Sequence, residues 1–208
     1  MLSEEHKFAT GLYESVRPQV ESNLNPIENI IKKSGSELEG NCFYYHLTLT
    51  RFPSLYNKQV NLVCAGSQAR RRIFEVGFNA GHSSMLLLYG AMTNSVENLE
   101  MTIADCGEHS YTKPCLEYVK SLFPTVNFRY IEGDSRITLP LFLSNEGVTH
   151  IGTYDVVHID GDHELSNANG DFFRCLSFVN FRNILIFNDV HLAWLKMLWD
   201  GYIRDLHL

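Results

Sequence analysis

The chain has 208 residues, 45% of them hydrophobic and 20% charged, and a net charge of −7. That apolar fraction suffices for the core of a globular domain, and the acidic balance argues against a nucleic-acid partner, whose phosphates need Lys and Arg. The five cysteines (Cys42, Cys64, Cys106, Cys115, Cys175) form no C-x-x-C pair, which excludes a zinc ribbon or thioredoxin-like motif and points to reduced thiols in a cytoplasmic setting. The opening MLSEEHKFATGLYESV is acidic and lacks a continuous apolar run, so no signal peptide is expected. No stretch approaches the ~20 apolar residues of a spanning helix, so no membrane partner is expected.

In chain order, residues 3–17 and 26–34 read as short amphipathic helices, interrupted near Pro18 and Pro26. A turn-rich break follows between Gly35 and Gly40, then CFYYHLTLTRF, a strand or an extended arm. Residues 56–70 read as a helix leading into the main domain. From residue 72 the pattern turns regular. Apolar runs rich in Val, Ile and Phe occur at 72–76, 100–104, 126–131, 154–159 and 183–187, with helix-compatible stretches at 81–92, 112–123, 135–145 and 164–178. Residues 192–203 close the series, with Trp194, Leu195, Leu198 and Ile203 at roughly helical spacing. Strands alternating with helices predict βαβ units and a parallel α/β sheet, whose ligand sits beyond the carboxyl ends of the strands.

The residues that follow each strand are therefore the informative ones. Strand one ends in Glu75, followed by a tight loop from Gly77 through Asn79 to Gly81 and then by His82 and Ser83, where a new helix offers free N–H groups to an anion. Strand two ends in Asp105, an acid placed to accept the hydroxyls of a ribose. Strand three ends in Gly133-Asp134-Ser135, which could flank an adenine or cap the next helix. Strand four ends in Asp160-Gly161-Asp162-His163, and strand five in Asn188-Asp189, with His191 just beyond. A dinucleotide fingerprint would need glycine where Asn79 stands, and no G-K-[ST] occurs, so a nicotinamide enzyme and a P-loop are both disfavoured. A smaller anion, such as an amino-acid carboxylate, fits the loop better. Adenosine with an amino-acid tail is S-adenosylmethionine.

In FEVGFNAGHSS, IADCGEHSYTKPCLEYVK, YIEGDSRITLP, YDVVHIDGDHE and ILIFNDVH the chain resembles the successive motifs of class I S-adenosylmethionine-dependent methyltransferases, in particular the small-molecule O-methyltransferase-like group with an IDGDH motif. The resemblance spans about residues 56–203. It implies a doubly wound, mostly parallel Rossmann-like sheet over residues 56–208, with residues 1–55 as a helical cap or arm. It implies a methionine pocket shaped by Glu75, Gly77, Asn79 and Gly81 with the backbone near His82 and Ser83, a ribose on Asp105, and an adenine beside Asp134 and Ser135. Asp160 would lie near the methionine end and also join Asn188 and Asp189 around Mg2+ or another divalent cation. The implied activity is O-methylation of a small hydroxylated acceptor with metal assistance. Asp162 is the first candidate for the general base, His163 the second and His191 a weaker third. Asp162 is alternatively a cap for the helix at 164, and His163 a residue packed at its start. Tyr56, Asn57 and Gln59 could line the acceptor pocket or simply begin a solvated helix.

The sequence departs from the family after strand five. The antiparallel hairpin that completes the family's sheet is expected to be missing or truncated, because the chain stops at DLHL. That leaves NILIF as an apolar edge, to be covered by the arm at 41–52 or by a second copy in a homo-oligomer. Asn188 stands where acids are common in the family. The competing reading is a non-catalytic, methyltransferase-like protein that binds the cofactor or serves as an interaction subunit.

Overall fold

The structure, a computed structural model, describes residues 3–40, 42–180 and 182–206, with the side chains of residues 146–148 and 206 excepted. Asn41, at the start of the expected arm, and the last two residues of DLHL lie outside the described residues. The chain falls into two compact units interleaved in sequence: Met1–Arg71, Phe78–Glu100 and Gly107–Phe128 in the first, and Arg72–Gly77, Met101–Cys106 and Arg129–Leu208 in the second.

The first unit is helical. The expected pair of short helices is one helix, α1 (Glu4–Ser34), which runs through both Pro18 and Pro26. An interior proline removes a backbone bond and costs about 3 kcal/mol. Here the carbonyls that lose their partners belong to Glu14 and Ser22, both exposed, where water can take the bond. Against that cost stands a continuous stripe of buried Tyr13, Val16, Val20, Leu24, Ile27 and Ile31. Ser3 caps the start by accepting from the His6 N–H, and Gly35 ends the helix at φ 72°. Helix α2 (Tyr56–Gly66) is shorter than predicted. It packs backbone-close on α3 (His82–Met92), where Gly66 and Gly90 stand opposite the Leu87 and Val63 carbonyls. Tyr118 of α4 (Thr112–Leu122) donates to Asn23 of α1, which in turn donates to Tyr89 of α3. Among the described residues, the stretch between α1 and α2 is an arm rather than a strand, with one isolated antiparallel bridge, Tyr44 to Arg51.

The second unit carries the sheet. The five predicted strands form within a residue or two of their expected bounds: β1 (Arg72–Val76), β2 (Glu100–Asp105), β3 (Asn127–Glu132), β4 (Val156–Ile159) and β5 (Ile184–Phe187). Their order is β3-β2-β1-β4-β5, with β1–β4 and β4–β5 parallel. This is the α/β, doubly wound, Rossmann-like arrangement. Strand order reverses between β1 and β4, so a topological switch point lies at their carboxyl ends. Helices α5 (Ser135–His150), α6 (Leu165–Leu176) and α7 (Ala193–Leu206) complete the unit. Its core joins Phe74, Val76, Val157 and Ile159 of the strands to Leu139 and Phe142 of α5, Phe172 and Cys175 of α6, and Leu195 and Tyr202 of α7. Tyr202 stacks on Phe172 at 3.7 Å. Among the described residues β5 pairs with β4 alone.

Candidate active site

Backbone hydrogen bonds continue one step past the strands. Gly133 N–H donates to the Asp105 carbonyl, Gly77 N–H to Ala104, Asp160 N–H to Val76 and Asn188 N–H to Ile159, all at 2.8–2.9 Å. This extra rung lines up Gly133, Asp105, Gly77, Asp160 and Asn188 along the carboxyl edge of the sheet. Sequence spacing placed polar residues at five strand ends; the ladder makes those ends neighbours. Gly77 is the tightest point. Its φ is +87°, and a Cβ there would lie 1.9 Å from the Asp160 carbonyl oxygen. Only glycine lets β1 turn away this close to β4.

Glu75 is fully buried and faces His158 across the β1–β4 pair, with His158 Nδ1 2.9 Å from Glu75 Oε1. Asp105 is buried at the end of β2. Close to its charge is Tyr130 of β3, whose buried hydroxyl has no hydrogen-bond partner among the described residues. Burial first, then the Asp105 charge, hold that phenol above its ordinary range. Asp134 is turned outward to Arg136 and accepts the Arg136 N–H at 2.8 Å, so it caps the start of α5. Ser135 donates to Asp171 of α6 at 3.0 Å. Asp171 is buried, its carboxyl raised by that burial, and it lies under Gly161.

The loops after β4 and β5 converge. Asp160 Oδ1 accepts from Asn188 Nδ2 at 2.5 Å. His163 Nε2 lies 2.8 Å from Asp189 Oδ2, and His191 Nδ1 lies 3.6 Å from Asp189 Oδ1. Asp189 is buried and adopts φ +54°, a strained conformation for a non-glycine residue. Its hydrogen bond raises the His163 imidazole above the ordinary histidine range. Trp194 of α7 donates to the His163 carbonyl at 2.9 Å. Asp162 is engaged elsewhere: it accepts the Glu164 N–H at 2.8 Å and the Asn167 side chain at 2.5 Å. The Glu164 N–H is the main cause of its lowered pKa.

Ligand atoms of Asp160, His163 and Asp189 all lie within 4.8 Å of one another. Bonds of about 2.0–2.2 Å to a divalent cation set neighbouring ligands about 3–4 Å apart, so this carboxylate–imidazole–carboxylate set fits such an ion in size and chemistry. Asn188 presents its amide N–H to Asp160 rather than its oxygen. Such a set can hold an ion through all three groups, or through the two carboxylates with the imidazole beside Asp189 left as a base; the sequence had drawn it as Asp160, Asn188 and Asp189.

In the first unit, Asn79 follows the Gly77 turn at φ +54°, and Gly81 at φ +79° sits against the Phe78 ring and Val119. Tyr111 donates to Asn79 Oδ1 at 3.0 Å, and His109 stacks on Tyr111 while its Nε2 lies 3.1 Å from Glu39. Ser83 is buried at the start of α3. His82 is buried beside it, with Phe43 and Tyr44 of the arm set edgewise at 5.6 and 5.4 Å. Its Nε2 has no hydrogen-bond partner among the described residues. Burial, with the charge of Arg51 second, lowers its pKa to about 3. A histidine depressed in the folded state contributes stability above its unfolded pKa and loses it as pH falls toward the folded value. The window therefore runs from about pH 6.5 down to about pH 3, at roughly 1.4 kcal/mol per pH unit. Unfolding free energies from urea titrations at about pH 7 and about pH 5 should differ by about 2 kcal/mol more for the wild type than for His82→Leu. An equal difference in the two proteins would refute this origin of acid sensitivity.

His158, Tyr130 and Asp171 were missed by sequence reasoning. Strand alternation puts His158 on the same face as Asp160, two residues on, a signal that could have found it. No comparable signal marks Tyr130 or Asp171.

Residues 74–190, more than half of the chain, match a family described as a methyltransferase domain. No curated protein matches the chain in sequence. Among solved structures, the O-methyltransferase NovP is 15% identical, with a TM-score of 0.55 over 89% of this chain and 92% of its own. CalS11, a TDP-rhamnose 3'-O-methyltransferase of calicheamicin biosynthesis, is 11% identical, with a TM-score of 0.53 over 98% of this chain and 87% of its own. At such identities the likeness is one of fold, while the family match covers the strand ends from Glu75 to Asp189 in order. The chain belongs to the class I S-adenosylmethionine-dependent methyltransferases.

Proposed function

We propose that the chain moves the methyl group of S-adenosylmethionine to a hydroxyl of a small acceptor, with His163 as general base and a divalent cation at Asp160 and Asp189. The observation that carries this reading is the His163–Asp189 pair, 2.8 Å apart, beside Asp160 on the carboxyl edge of the sheet. Two similar structures named as O-methyltransferases support the choice of oxygen as acceptor atom.

When bound, S-adenosylmethionine supplies a methyl on a charged sulfur, and the cation supplies a Lewis acid for the acceptor hydroxyl. Toward the cofactor, Gly77 lets β1 turn away close beside Asp160, while buried Asp105 and the Tyr130 hydroxyl, without a hydrogen-bond partner among the described residues, suit a ribose. The resemblance alone assigns Glu75, Asn79, Gly81, His82 and Ser83 to the amino-acid tail. It also assigns Asp134 and Ser135 to the adenine side, where Asp134 caps the start of α5. His163 donates from Nε2 to Asp189, which leaves Nδ1 to take the hydroxyl proton. The acceptor proton would rest on His163, and the Asp189 carboxylate would stabilise the imidazolium. Asp162 serves here to start α6.

Thermal unfolding with S-adenosylhomocysteine, with NAD and with neither tests the reading. At about 100 times its dissociation constant, S-adenosylhomocysteine should add about 2.7 kcal/mol, roughly 5–10 °C for a chain of this size. Mg2+ should add a further rise. Stabilisation by NAD alone would sink the proposal.

A further inference from the structure

His158 is fully buried in the interior of β4, where a parallel strand buried on both faces ordinarily carries only apolar side chains. Its Nδ1 lies 2.9 Å from Glu75 Oε1, and Glu75 is equally buried. Its Nε2 has no hydrogen-bond partner among the described residues and points at Asp160 Oδ2, 3.9 Å away. That is beyond hydrogen-bond reach but within electrostatic range. The other oxygen of Asp160 is held by Asn188. One imidazole therefore stands between two carboxylates, Glu75 fully buried and Asp160 18% exposed. Glu75 is assigned to the cofactor tail and Asp160 to the cation.

We propose that His158 is a positioning residue that ties Glu75 to Asp160, so that filling the cofactor side raises affinity on the cation side. The inference rests on the site reading of the preceding subsection. A ligand that draws on Glu75 shifts the ring held at Nδ1, and with it the Nε2 edge that faces Asp160 at 3.9 Å. Linkage then requires the reciprocal effect: the cation must strengthen cofactor binding by the same factor. Partners in the outer shell of a metal site commonly change its affinity by about 10–100-fold, so a coupling of roughly tenfold is within reach of one such residue.

Isothermal titration with Mn2+, with S-adenosylhomocysteine, and with each in the presence of the other measures the coupling. In the wild type, Mn2+ should bind about tenfold more tightly when S-adenosylhomocysteine is present, and the converse ratio should match. His158→Asn keeps a group near Nδ1 and loses the end facing Asp160. His158→Gln keeps a group near Nε2 and loses the end facing Glu75. Both should bring the ratio close to one while the folded circular dichroism spectrum is retained, and either variant suffices if the other does not fold. A loss of general packing would weaken each ligand without removing their mutual dependence. Wild-type ratios near one, or a variant that keeps the wild-type ratio, overturn the inference. A wild type that binds neither ligand overturns the site reading itself, and this inference with it.

Discussion

Gly77→Ala should lower stability by about 4 kcal/mol or more, a fall in melting temperature of roughly 10 °C. Two costs combine. An alanine held at φ +87° carries a left-handed backbone penalty of about 1–2 kcal/mol. Its Cβ would also stand 1.9 Å from the Asp160 carbonyl oxygen, which is backbone and cannot swing aside as a side chain would. Relief requires β1 and β4 to part at the point where the Asp160 N–H donates to Val76. Gly161→Ala is the control from the same corner. Its Cβ would meet the Val76 methyl at 3.1 Å and Asp171 at 3.4 Å, so a small adjustment suffices. A cost of about 1–2 kcal/mol is expected there. Differential scanning calorimetry of the two variants checks the contrast. If Gly77→Ala melts with the wild type, the close approach of β1 and β4 is wrong.

His163→Ala should reduce kcat by about 100- to 10,000-fold, the usual worth of a general base, while S-adenosylhomocysteine affinity stays within about threefold. Asp162→Asn should behave differently. Its carboxylate is taken up by the Glu164 N–H and Asn167, so the loss is about 1 kcal/mol of stability and less than about tenfold in kcat. Single-turnover methyl transfer, with product read by mass spectrometry, compares the two. The reverse ranking would move the base to Asp162.

These outcomes separate what was legible from what was not. The sheet was legible because its strands are short apolar runs bounded by glycines and acids, such as IFEVG and VVHIDG, and because a parallel sheet leaves its ligand residues directly after each run. α1 was misread because a proline's cost is local, whereas the stripe from Tyr13 to Ile31 that offsets it gains its energy from burial under other helices. The sequence ranked Asp162 ahead of His163 as general base without access to the partners of either. Both residues have suitable chemistry and lie side by side, and what distinguishes them is which distant group each one meets.

The amino-acid sequence by itself determined the α/β class, the alternation of strand and helix, and the set of polar residues delivered to the strand ends. Those properties follow from periodicity and from the rigid geometry of βαβ units, which act over a few residues. Only the tertiary structure decided that Asp189 belongs to His163, that Asp162 belongs to Asn167, and that His158 lies between Glu75 and Asp160. Roles of this kind depend on distances of a few ångströms between residues far apart in the chain, and a hydrogen-bond partner is chosen by packing, which residue type alone does not encode.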